Sequence, residues 1–317
     1  MAEIFVADIG GTNCRFAIFN IDKQSRLSFV EELWLITKSF NSFESLLAVL
    51  KSTNKKFSIS NFEIIVLAVP APVIGDSIIN MVNIDWSINI KSLKLKHNSS
   101  EIHFINDFTA QAYGCLTKAI DSAKIIKKGK LLLNSDIAVV GAGTGIGHGA
   151  IKYDERCGYI PLPSEAGQIA FPFTREEELK YRKFVIKITG CEYPTNDMIV
   201  SGPGISLLHR FFTGEDLPPE QVTGKISNNS ETTEWFSRFY GRCCKNYCLS
   251  VLASGGKLVL SGGLAAKNEI LVNNDIFREE FINSPLKADL LKQITVYLNY
   301  NEKIALWGAA QFCACSR

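Results

Sequence analysis

Short apolar runs separated by glycine turns dominate the hydrophobic pattern. Residues 4–7 (IFVA) and 16–19 (FAIF) flank a polar stretch holding Asp8, Gly10, Gly11, Thr12 and Asn13. Runs this short and this rich in β-formers predict two strands joined by a tight turn. Residues 26–37 predict a third strand. Residues 43–50 (FESLLAVL) carry apolar positions at helical spacing behind Asn41 or Ser42, either of which can cap a helix. Residues 64–69 (IIVLAV) are apolar throughout, as in a strand buried on both faces of a partly parallel sheet, and Pro70 and Pro72 end the run. Residues 101–105 predict a strand that delivers Asn106 and Asp107 to its carboxyl end, with a helix over 109–116. Ligands of open α/β sheets bind at such strand ends.

Further along, residues 137–140 predict a strand entering Gly141-Ala-Gly-Thr-Gly-Ile-Gly147. Helices are predicted over 175–189, 205–212 and 236–252, and strands over 257–260 and 294–298. A closing helix after Asn301 places Ala305, Gly308, Ala309 and Phe312 on one face, small enough for close packing. Residues 6–18 align loosely with 139–151 at a shift of 133 positions, each reading strand, Gly/Thr turn, strand. The chain thus carries one device twice. A dinucleotide fingerprint beginning at Gly141 fails, because Ile146 stands where its third glycine belongs and a strand follows where a helix should open.

Gly10 and Gly11 are expected to take positive φ and to bring bare backbone close to a ligand. Amide groups exposed there, with Thr12 and Asn13 beside them, suit an anionic oxygen. Asp8 is poor company for phosphate unless a cation intervenes, and a carboxylate holding hydrated Mg²⁺ resolves the conflict.

Composition excludes more than it selects. A formal net charge of +2 over 317 residues leaves no electrostatic footprint for nucleic acid or an anionic membrane. The single basic cluster, residues 124–130, reads as a solvated loop. No run approaches the roughly eighteen apolar residues of a membrane span, and nothing resembles a leader, so a cytoplasmic protein is expected. The nine cysteines follow no metal-ligand spacing and read as free thiols. His97, His103, His148 and His209 pair with no nucleophile motif; His209 is expected on a helix surface.

Read in order, DIGGTN (8–13), PAP (70–72), NxxW (83–86), INDF (105–108), GAGTGIG (141–147), SEAGQ (164–168), SGPG (201–204) and SGGL (261–264) resemble the bacterial glucokinases. These belong to the superfamily of sugar kinases, heat-shock ATPases and actin. The resemblance covers nearly the whole chain. It implies an α/β, duplicated actin-like ATPase (ribonuclease H-like) fold of two domains with a cleft between them. The small domain would span 1–110 with the closing helix 301–317, and the large domain 111–300. It also implies a homodimer and transfer of the ATP γ-phosphoryl group to the 6-hydroxyl of glucose.

By that resemblance Asp107 is the catalytic base, although an Asp capping the following helix is an independent reading. Asn83, Asn106, Asp107, Glu165, Gln168 and Asp197 would bind the hexose. Asp8 would hold Mg²⁺ through water. Gly10, Gly11, Thr12 and Asn13 would serve one phosphate and Gly141, Gly143, Thr144 and Gly145 another, with Gly262 and Gly263 admitting the adenosine. Two positions depart from the family: Gln168 replaces a histidine, and Asp197 stands where a glutamate is common. Another hexose, or an amino sugar, therefore stays open as substrate. A sugar sensor without turnover is disfavoured because the first hairpin begins at residue 4. A phosphatase of the same fold is disfavoured by the polyol-binding set.

Overall fold

The computed structural model describes residues 2–75, 78–81, 84–97, 100–227 and 229–315. In chain order the elements are β1 (Ala2–Ile9), β2 (Asn13–Ile21), β3 (Leu27–Ile36), α1 (Phe43–Thr53), β4 (Ile64–Val69), β5 (Ile78–Asn80), β6 (Ser87–Asn89), α2 (Ile90–Lys96), β7 (Glu101–Asn106) and α3 (Asp107–Gly114). Next come β8 (Lys124–Lys127), β9 (Ile137–Ala142), β10 (Ile146–Asp154), β11 (Gly158–Ser164), α4 (Glu176–Thr189), α5 (Asn196–Ile199), α6 (Gly202–Thr213), α7 (Pro219–Lys225) and α8 (Glu231–Val251). The chain ends with β12 (Lys257–Ser261), α9 (Gly263–Lys267), α10 (Asp275–Ile282), α11 (Ala288–Gln293), β13 (Thr295–Leu298) and α12 (Ile304–Cys315).

Two compact units result. The first takes Met1–Asp121, Glu155–Pro163 and Lys303–Arg317; the second takes Ser122–Asp154 and Ser164–Glu302. In the first, the strand order is β3-β2-β1-β4-β7. The β1–β2 hairpin is antiparallel, whereas β4 and β7 run parallel to β1 and to each other. In the second, β10-β9-β12-β13-β8 adjoin in that order. Here too an antiparallel hairpin, β9–β10, is followed by two parallel neighbours, β12 and β13. The internal likeness at 133 positions is therefore a likeness of topology.

Every residue of β4 is buried, as an apolar run at the middle of a parallel stretch requires. Phe5, Ala7 and Ile9 of β1 share a buried cluster with Leu46 and Leu50 of α1, and Phe5 packs on Phe16, Phe57 and Phe62. Ser42 caps α1, accepting from the Ser45 amide at 3.0 Å. The closing helix differs from its one-faced expectation: Ile304 to Ala310, Cys313 and Ala314 are all buried. Such a helix is a core element, and the Cβ of any larger residue at Gly308 would collide with the Ala110 carbonyl of α3. Phe312 meets Tyr113 of α3 edge-on at 5.5 Å, and Trp307 meets Phe19 at 4.8 Å.

In the second unit α8 is the central helix, burying Phe236, Phe239, Tyr240, Cys243, Cys244 and Cys248. Arg242, 1 % exposed, donates to both oxygens of Glu178 on α4 (2.6 and 2.8 Å) and to Glu280 on α10 (3.0 Å). Breaking such a buried pair from one side costs about 3–5 kcal/mol, so this network locks three helices together. Two sequence expectations give way here. Residues 124–127 form strand β8, and Lys127 is no solvated loop residue: its Nζ donates to the carbonyls of Lys292 (2.9 Å) and Ile294 (2.8 Å). His209 is buried, 3.4 Å from Thr232 and from Glu215, because α6 packs that side against α8.

Candidate active site

The first glycine turn, Gly10 to Thr12, joins β1 to β2 in the first unit. The Gly10 amide donates to the Asn13 carbonyl at 3.0 Å and closes it. Neither Gly10 nor Gly11 has a positive φ, contrary to expectation. What Gly10 requires is space, since a Cβ there would lie 2.9 Å from the Asn13 carbonyl oxygen. Thr37, 2 % exposed, holds the turn from the end of β3. Its hydroxyl donates to the Gly10 carbonyl at 2.6 Å and its amide to the Thr12 carbonyl at 3.0 Å. Sequence reasoning missed Thr37, and nothing local to it signals a partner 27 positions away. Thr12 itself is exposed.

Asp8, 7 % exposed, ends β1 beside this turn. Its Oδ2 accepts from Arg15 at 2.9 Å, across the hairpin register that pairs Asp8 with Arg15. Arg15 in turn lies over Trp34, 4.7 Å from the ring centroid. Burial pushes the Asp8 carboxyl up from its ordinary value, against the pull of Arg15. The described residues contain no group of three or more His, Cys, Asp or Glu able to cage a metal. A carboxylate like that of Asp8 is the donor that hydrated Mg²⁺ takes from a protein, one or two of them beside phosphate oxygens.

Asn106 and Asp107 stand where β7 meets α3. The cap is Asn106, not Asp107: Asn106 Oδ1 accepts from Phe108 N (3.0 Å) and Thr109 N (3.1 Å). What Asn106 offers a ligand is consequently its Nδ2 donor. Asp107 sits half-buried in the first turn of α3, its Oδ1 accepting from Phe108 N at 2.9 Å. Asn83 lies outside the described residues; Trp86 of the same motif is buried against Phe43.

The second glycine turn, Gly143 to Gly145, closes through Gly143 N to the Gly145 carbonyl at 2.7 Å. Neither glycine has a positive φ. A Cβ on Gly143 would meet nothing within 4 Å, leaving bare backbone, and Thr144 is exposed. Three other motifs converge on this turn. Gly202 N donates to the Gly143 carbonyl at 2.8 Å. Asp197 Oδ1 accepts from Ile146 N at 2.7 Å, in space left by the missing side chain of Gly145. A Cβ on Gly167 would lie 2.5 Å from the Ile146 carbonyl oxygen. Glu165 and Gln168 flank Gly167 on a short 3-10 turn, both exposed, with Gln168 N donating to the Glu165 carbonyl at 3.0 Å. Gly141 pairs with Gly147 inside the hairpin rather than in its turn. Gly262, with φ of 86°, abuts the Ala142 carbonyl, so its lack of a side chain answers to the protein's own backbone. Gly263 faces open space.

A family profile described as glucokinase matches residues 5–315. The chain belongs to the glucokinase family. The glucokinase of Trichormus variabilis is 26 % identical over an alignment 349 positions long, covering 99 % of both chains. The crystal structure of a glucokinase from an Antarctic psychrotroph superposes over the whole of both chains with a TM-score of 0.82 at 25 % identity. A ROK family glucokinase from Streptomyces griseus, in complex with glucose and AMPPNP, shares the fold at a TM-score of 0.63, 15 % identity and 98 % coverage of each chain. The fold is the duplicated actin-like ATPase fold of these kinases, and family membership makes the chain a phosphotransferase. Among the described residues no helix is long and apolar enough to cross a membrane.

Proposed function

We propose that this member of the glucokinase family transfers the γ-phosphoryl group of ATP to the 6-hydroxyl of glucose, yielding glucose 6-phosphate and ADP. The observation that carries the reading is the family match from residue 5 to 315. Phosphoryl transfer passes through a loose transition state, so the protein's work is positioning and charge stabilisation. In our reading Asp107 accepts the proton of the 6-hydroxyl as oxygen bonds to phosphorus and the bond to ADP breaks, worth a factor of about 10²–10⁴. Its half-buried place at the N-terminus of α3 supports that role, since the cap is already supplied by Asn106.

Asn83, Asn106, Glu165, Gln168 and Asp197 bind the hexose hydroxyls in this scheme. The phosphates go to Gly11 and Thr12, with Gly10 and Asn13 shaping that turn, and to Gly143 and Thr144, with Gly145 shaping the other. Gly263, beside Gly262, takes the adenosine, in keeping with the open space at its α-carbon. Asp8 holds Mg²⁺ through water, and the ion when bound neutralises phosphate charge. A cytoplasmic location and a homodimer complete the reading on family likeness.

The test is a coupled ADP-release assay across hexoses. Turnover with glucose supports the reading, preference for another hexose or an amino sugar would move the substrate, and silence with every sugar would overturn it. Asp107→Asn should retain hexose binding and lose about a hundredfold or more in kcat; near-normal turnover refutes the base.

A further inference from the structure

We propose that Asp197 is a positioning residue for the second glycine turn, holding it in the shape that receives nucleotide phosphate. The proposal rests on the kinase reading above and adds a task that hexose recognition does not require. Four observations carry it. Asp197 Oδ1 accepts the Ile146 amide hydrogen at 2.7 Å, at the first residue after the turn. Gly145 leaves the space that this oxygen fills, and any larger residue there would displace it. The carbonyl of the same Ile146 packs against Gly167, where any Cβ would collide with it. The adjacent Asn196 donates through Nδ2 to the Ala166 carbonyl at 2.8 Å. Two consecutive side chains thereby brace two segments: Asn196 the Glu165–Gln168 stretch, Asp197 the glycine turn.

The chemistry explains the choice of residue. A carboxylate accepting a backbone N–H forms a charge-assisted bond, stronger than a neutral one. The Asp197 oxygen reaches the Ile146 amide through the space a Gly145 side chain would fill. The turn closes on its own Gly143-to-Gly145 bond, and Asp197 and Gly202 hold it from outside, which leaves the bare α-carbon of Gly143 and the exposed Thr144 at its tip to face a ligand.

The experiment uses the full chain and three readouts: the dissociation constant for Mg·ADP by titration calorimetry without hexose, the hexose KM, and hydrogen–deuterium exchange at residues 143–147. Asp197→Ala should weaken Mg·ADP binding about tenfold and accelerate exchange in the turn. Asp197→Asn retains an acceptor oxygen, and should return both to within about threefold of wild type. The idea is overturned if Asp197→Ala binds Mg·ADP normally with unchanged exchange and only the hexose KM rises, or if the Asn variant exchanges as fast as the Ala variant. Should the wild-type chain bind no Mg·ADP at all, the kinase reading fails separately, and the exchange data alone decide whether Asp197 holds the turn.

Discussion

The two glycine turns occupy the same topological position, yet they are secured by different chemistry. In the first unit a neutral hydroxyl and an amide of Thr37 draw in the carbonyls of Gly10 and Thr12. In the second a carboxylate takes the Ile146 amide, and Gly202 takes the Gly143 carbonyl. Both arrangements leave an exposed threonine at the tip, Thr12 or Thr144. Duplication thus preserved the presented surface, while the support behind it diverged. A turn's outward amides are set by what they must receive; its inward bonds need only be satisfied by something.

The sharpest way to break the comparison is pH, because the buried titratable groups beside the two turns respond in opposite directions. His148, three residues beyond the second turn's end, is 2 % exposed, and burial pulls its imidazole down to about 4. A depressed folded value means that the unfolded chain takes the proton first. The stability His148 confers is full above about pH 6.5 and is lost as pH falls toward 4, by about 3 kcal/mol. Asp8 has the opposite sign: its raised value means that the native state tolerates acid better than base at that site. Urea unfolding from pH 7 to 4.5 should show a loss that His148→Phe largely removes; an unchanged acid loss in that variant would remove His148 as the cause.

Next in size are the turn glycines themselves. Gly10→Ala must push against a backbone oxygen and should cost about 2 kcal/mol. Gly145→Ala meets only the end of the Asp197 side chain and should cost about 1 kcal/mol, the loss of one hydrogen bond. Gly143→Ala meets nothing, so its Tm should stay unchanged while Mg·ATP binding falls. Equal Tm losses in all three would erase the distinction drawn here. Thr37→Val, which keeps the backbone bond to Thr12 and loses the hydroxyl bond to Gly10, should match Gly145→Ala in size. About 1 kcal/mol of stability should go, read by urea unfolding, with no change in the acid response.

The hairpins, the buried β4 and the strand ends bearing Asn106 and Asp107 were legible because each is written in a local period bounded by glycine or proline. So was the doubling at 133 positions. The glycines were legible as turn formers but misread in kind: a positive φ was expected at Gly10 and Gly11 and neither has one, and what Gly10 provides is close packing against the Asn13 carbonyl.

By itself, then, the sequence determined where the strands and turns fall, that one device occurs twice, and which family the ordered motifs belong to. The tertiary structure decided which groups stand behind the turns: Thr37 and Asp197, 27 and 51 positions from their partners. It decided equally that α12 is buried on nearly every side, that Lys127 caps carbonyls and that His209 is enclosed. Period and punctuation are properties of neighbouring residues, whereas the partner of a hydroxyl or a carboxylate is chosen by whatever the fold brings within 3 Å of it, and no local pattern encodes that.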